Sequence, residues 1–92
     1  MTPIKIIKHR KEDDIWHFKV AIGYPDDQTV HRVTLAEDYY QKLTSEKISA
    51  DQLVVNSFNF LLKREPKESI LHQFDLSIIN TYFPEYENTI KQ

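Results

Sequence analysis

Residues 50–65 constrain this chain more than any other stretch. Across that window Gln52, Asn56, Asn59 and Lys63 recur at spacings of four, three and four, which gathers them into one narrow stripe along a helix. The remaining circumference, Leu53, Val54, Val55, Ser57, Phe58, Phe60, Leu61 and Leu62, is apolar or small. A helix of this kind must be covered on more than one side. Ser49 and Gln52 have the spacing of a capping box at its start. Pro66 ends it, because the ring blocks helix continuation and disfavours α geometry at the preceding residue. In a chain of 92 residues the cover has to come from the segments on either side or from a second copy.

Upstream, the pattern is that of strands. Residues 15–22 alternate cleanly, with Trp16, Phe18, Val20 and Ile22 on one parity and His17, Lys19 and Ala21 on the other. Residues 23–28 contain the only glycine, Gly23, together with Pro25, Asp26 and Asp27, and read as a turn. Residues 29–35 alternate again, with His31, Val33 and Leu35 sharing a parity. Pairing 18 with 33 and 16 with 35 puts the two apolar sets on one face. An earlier strand over residues 3–10 extends the meander, although Ile4 and Ile6 point one way and Ile7 the other. The expected strands are therefore about 3–10, 14–22 and 29–35.

Downstream, the period becomes helical. Thr34 and Glu37 fit a capping box for a helix over about 35–44, with Leu35, Tyr39 and Leu43 inward, which assigns Tyr39 to the core and Tyr40 to the surface. Ile70, Leu71, Phe74, Ile78, Ile79, Tyr82 and Phe83 follow a 3.6 period and predict helix over about 67–83, in one piece or two, with Asp75 able to cap a second. Pro84 suits the first turn of a last helix over about 84–90. The expectation is a single α+β domain, residues 1–92, with a three-stranded antiparallel sheet and three or four helices (about 35–44, 50–65, 67–83 and 84–90) on one of its faces.

Composition narrows the chemistry. With no cysteine there are no disulfides, thiolate zinc sites or thiol nucleophiles, and one glycine cannot build a Gly-rich phosphate loop. Residues 9, 17, 31 and 72 are histidines without metal-ligand spacing, and His31, on the apolar parity, reads as a hydrogen-bonded core residue. The acids at 12–14 and 26–27 lack the alternating ligands of a calcium loop and read as solvated turns. No serine lies in a nucleophile elbow, and Ser57 reads as a small packing residue. Neither metal nor cofactor is expected, and no enzyme motif is present. The absence of a signal-peptide core or a transmembrane run leads to the expectation of a cytoplasmic protein.

The block LVVNSFNFLLKREP at 53–66, followed by SIL at 69–71, FDL at 74–76 and YFPEY at 82–86, resembles the C-terminal half of a family of short uncharacterised bacterial proteins over about residues 33–90. That resemblance implies a free-standing small bacterial protein and brings no activity with it. In element order, residues 30–35, a short helix and then residues 49–65 are similar to ribbon-helix-helix proteins, in which strands from two subunits pair and enter DNA. Against that order stand a strand already partnered within its own chain, a turn without glycine and acidic helices.

Charge is divided unevenly. Residues 1–35 hold six Lys/Arg against five Asp/Glu and three of the four histidines, whereas residues 36–92 hold six against nine, within a net charge of −2. The side of the sheet away from the helices is expected to carry Lys5, His9, His17, Lys19 and Arg32, a candidate surface for an anionic partner. A sheet covered on one side also needs a polar outer face simply to be solvated. The apolar helix supplies a second candidate, an association surface built from Val55, Phe58, Phe60 and Leu62. The functional expectation is a non-enzymatic protein-interaction domain, self-association included. The alternative is a nucleic-acid-binding regulator acting through the basic sheet face.

Overall fold

The computed structural model describes residues 2–91. Strands β1 (Ile4–Glu12), β2 (Ile15–Ile22) and β3 (Thr29–Ala36) form the antiparallel meander, with Phe18 opposite Val33 and Trp16 opposite Leu35. The sheet does not stop there. A fourth strand, β4 (Gln73–Asp75), pairs in parallel with β3, so the sheet is mixed, in the order β1-β2-β3-β4. The expected three-stranded antiparallel sheet is corrected accordingly, while the α+β class stands. Helices α1 (Glu37–Thr44), α2 (Ala50–Leu62), α3 (Ile78–Tyr82) and α4 (Tyr86–Ile90) complete the chain.

Gly23 makes the β2–β3 turn possible. Its φ is +107°, its amide donates to Pro3 O at 2.9 Å, and a Cβ there would lie 2.5 Å from the Asp27 carbonyl oxygen. No side chain fits that position without strain. Lys67 lies against the same turn and pairs with Asp27 at 3.3 Å.

The expected cap at Thr34 is overturned. β3 runs on through Ala36, α1 begins at Glu37, and the Thr34 hydroxyl donates to Asp75 Oδ1 at 2.7 Å across the β3–β4 pair. Because the helix starts two residues late, its buried positions are Tyr40, Leu43 and Thr44. Tyr40 is thus the core residue, with its hydroxyl donating to Ile48 O at 2.7 Å. Tyr39 is half-buried and donates to Glu87 Oε2 at 2.9 Å.

α2 begins as expected, with the Ser49 hydroxyl accepting from the Gln52 amide at 3.0 Å. The Gln52 side chain turns forward to Asn56 instead of back to the cap, so half of the capping box is present. The helix ends at Leu62, three residues before the expected limit, as the chain turns ahead of Pro66. Cover comes from two sides within one chain. Phe58 meets His31 and Phe74 at ring separations of 5.6 and 5.9 Å, and Phe60 meets Phe83 and Tyr86 at 6.0 and 5.1 Å. Ser57 is fully buried, donates to Leu53 O and shares a 2.6 Å hydrogen bond with the Tyr86 hydroxyl.

The expected helix over 67–83 is replaced by a 3-10 turn (Lys67–Ser69), β4 and the short α3. Backbone bonds to β3 are the reason. Arg32 N donates to His72 O, and Leu76 N donates to Thr34 O, each at 2.8 Å. Asp75 then starts the next turn, its Oδ2 accepting from the Ser77 amide and hydroxyl.

A candidate anion-binding face

The mixed parity at Ile6-Ile7 has a structural cause. β1 and β2 pair in one register from Ile4 opposite Ile22 to Ile6 opposite Val20, and in a register shifted by one from Lys8 opposite Lys19 to Glu12 opposite Ile15. Ile7 is the extra residue of a β-bulge, and it is exposed. A one-residue shift moves every later side chain to the other face. Residues opposite one another share a face, so Lys8 and Arg10 stand with Lys19 and His17, away from the helices. His9 stands with Phe18 on the helix side.

That corrects the expected site at one residue and enlarges it by two. His9 is removed from the outer face: its ring lies 6.2 Å from that of Phe18, and Nδ1 donates to Asp51 Oδ1 in the first turn of α2 at 3.1 Å. Lys5, opposite Ala21, and His17, Lys19 and Arg32 hold their expected face, and Lys8 and Arg10 join them. The break in parity between Ile6 and Ile7 was the sequence signal for these two additions. Lys8, Arg10, His17, Lys19, Arg32 and Gln73 line a shallow, open concavity of about 610 Å³.

The face is strongly positive. Among the described residues Arg10 is paired with Glu12 at 3.0 Å, while Lys5, Lys8, Lys19 and Arg32 have no carboxylate within ion-pair distance. Asp75, the acid at the β4 edge, is occupied by Thr34 and Ser77. None of the paired outer positions is Phe, Tyr or Trp. The face therefore offers cationic donors and no stacking platform.

Elsewhere, several cations are matched by carboxylates. Lys11 reaches Glu37 at 2.8 Å and lies 5.2 Å from the Trp16 ring, while Trp16 Nε1 donates to the same carboxylate. The hydrogen bond from Lys11, followed by that from Gln41, holds the Glu37 carboxyl below its ordinary range. His31 is fully buried, as its parity predicts. Nδ1 donates to Leu71 O at 2.7 Å, so the neutral ring accepts from the Thr29 hydroxyl at Nε2, at 2.8 Å. Burial, opposed by the Leu71 bond and reinforced by stacked His72, lowers its pKa below 6.5. Among the described residues no group of three His, Asp or Glu is placed to hold a metal ion, and no helix is long and apolar enough to cross a membrane.

The expected association surface is also corrected. Phe58 and Phe60 are only 0% and 4% exposed, sealed by the sheet and by α4, and Val55 and Leu62 are half-buried. Exposed apolar side chains gather instead at Leu71 (49%), Ile78 (36%) and Tyr82 (65%). These line an open groove of about 320 Å³ together with Leu61, Ile70 and Phe74. The ribbon-helix-helix order fails on topology, since β3 is bonded to β2 on one side and β4 on the other and leaves no edge for a second subunit. Compared with known proteins, the chain matches no family model, no curated protein and no solved structure.

Proposed function

We propose that this protein is a non-enzymatic binding domain that engages nucleic acid through the open, basic face of its sheet. One observation carries the reading: the bulge at Ile7 adds Lys8 and Arg10 to a face already holding Lys5, His17, Lys19 and Arg32. Four of these cations lack an acidic partner among the described residues. Contacts to phosphate supply the sequence-independent part of nucleic-acid affinity and make it salt-dependent. Nine of the fourteen Asp and Glu lie in residues 36–92, and Asp75 at the edge of this face is held by Thr34 and Ser77, which leaves the face locally positive. Lys19→Glu combined with Arg32→Glu is expected to abolish salt-dependent retention on heparin without altering the circular dichroism spectrum. Retention equal to that of the wild type overturns the reading.

A second reading has an observation of its own. The groove edged by Leu71, Ile78 and Tyr82 exposes contiguous apolar surface of the kind that marks protein contacts, and it favours a protein partner, a second copy included. In this reading, light scattering at high protein concentration gives a mass above the monomer, and Ile78→Asp restores the monomer. A strictly monomeric wild type removes self-association.

A further inference from the structure

Within the basic face, three cations lie in a single line. Lys8 is directly opposite Lys19, Lys19 is directly opposite Arg32, and Gln73 closes the row on β4. Neighbouring strands are about 4.8 Å apart, so the three charges span only about 10 Å. Like charges placed directly opposite each other weaken a sheet. In this row no carboxylate relieves them among the described residues, whereas Lys11, Lys42, Arg64 and Lys67 each reach one. The adjacent row, Arg10, His17, Thr34 and Asp75, begins with a cation and ends with a carboxylate, so it sets no Lys or Arg opposite another.

We infer that Lys8, Lys19 and Arg32 form a site for successive phosphates of single-stranded nucleic acid, bound without regard to base sequence; this rests on the nucleic-acid reading above. The regularity of charge favours a phosphodiester chain over an acidic peptide. A nucleic-acid strand carries one negative charge on every nucleotide, so a row of three cations spanning about 10 Å meets phosphates whatever the sequence, whereas an extended peptide offers a carboxylate on this side only where its sequence places one at the ~6.7 Å same-side repeat. A single strand is favoured over a duplex because the cations sit in a concavity of the sheet. Nothing on this face projects as a helix or ribbon to enter a groove. Binding without regard to base sequence follows from cations committed to phosphates, with Gln73 the one side-chain amide among the paired outer positions.

The test uses the full chain and fluorescence anisotropy with labelled oligo-dT and oligo-dA of equal length, a mixed-sequence duplex, and a salt series. Wild type is expected to bind both single strands alike and the duplex more weakly. The triple variant Lys8→Gln, Lys19→Gln, Arg32→Gln is expected to bind at least ~10-fold more weakly at about 50 mM salt, with the slope of log affinity against log salt shallower by about 2, three phosphate contacts at ~0.7 each. A control removing equal charge, Lys47→Gln, Lys63→Gln, Lys91→Gln, is expected to retain wild-type affinity and slope. The single variant Lys19→Thr is expected to melt at or above the wild-type temperature while losing affinity.

Equal weakening in both triple variants overturns the row as the site and leaves the nucleic-acid reading intact. Absence of any salt-dependent binding by wild type overturns that reading itself. Duplex binding as tight as oligo-dT, or a preference between oligo-dT and oligo-dA, overturns the assignment of the ligand. A lower melting temperature for Lys19→Thr overturns the claim that the row carries uncompensated repulsion.

Discussion

On β2, Phe18, Val20 and Ile22 are sealed beneath the helices, while His17 and Lys19, each one residue away, stand on the open face. The two faces of the sheet share a backbone and differ in what holds them. The inner face is joined to α2 and the C-terminal segment through Phe58, His31 and Phe74, and each apolar side chain withdrawn from water contributes to stability. The outer face is tied at its margins by Arg10 with Glu12 and Thr34 with Asp75, while its central row sets like charges opposite one another. Stability and recognition are thus assigned to alternate residues of the same strands.

Phe58→Ala probes the inner face most severely. It empties a fully buried ring site between sheet and helices and is expected to cost about 3–5 kcal/mol in urea unfolding. A loss below ~1 kcal/mol would mean that this face does not hold the fold.

pH gives the next largest effect. His31 has a folded-state pKa below its ordinary 6.5, chiefly through burial. Above that value the ring is neutral in both folded and unfolded chains and contributes nothing. As pH falls below it, the unfolded chain takes up the proton first, so stability declines until the folded-state pKa is passed. Each unit of lowering is worth about 1.4 kcal/mol. A protonated Nε2 also loses the Thr29 hydroxyl as a donor. Comparing wild type with His31→Gln at pH 7.5 and 5.0 isolates this contribution; parallel pH dependence in the two proteins would dismiss it.

Deleting Ile7 sharpens the comparison at the strand where the faces change phase. It removes the extra residue while Ile6 stays opposite Val20 and Lys8 opposite Lys19. The deletion is expected to shift stability by no more than about 1 kcal/mol, the size of a typical single change, and to leave heparin retention unchanged. Loss of retention with the fold intact would show that the bulge has a role beyond phase. The smallest effect belongs to Lys19→Thr with Arg32→Thr, expected to be neutral or to stabilise by about 0.2–1 kcal/mol. Destabilisation would show that the outer face contributes to the fold after all.

Part of the candidate site was readable in advance. His17, Lys19 and Arg32 lie in strands of unbroken alternation, where parity alone assigns a face, and Lys5 precedes the bulge. Counting in twos puts His9 on the outer face and leaves Lys8 and Arg10 off it, because the count fails beyond an extra residue. The association surface erred differently. Residues 50–65 announced that the helix needs cover on two sides, but periodicity cannot distinguish a second copy from Phe83, Tyr86 and Phe74 of the same chain.

By itself, the sequence determined what depends on near neighbours: the β2–β3 register, the Ser49 cap, the glycine-dependent turn at Gly23 and the buried place of His31. These follow from side-chain period, local hydrogen bonds and backbone sterics. Tertiary structure alone decided that residues 73–75 become a strand, since Phe74 suits a helix face equally well and only the free edge of β3 offers its neighbours hydrogen bonds at Thr34 and Arg32. It also decided which residues share the basic face, because the parity break at Ile6-Ile7 becomes a one-residue shift of register only when β1 pairs with β2.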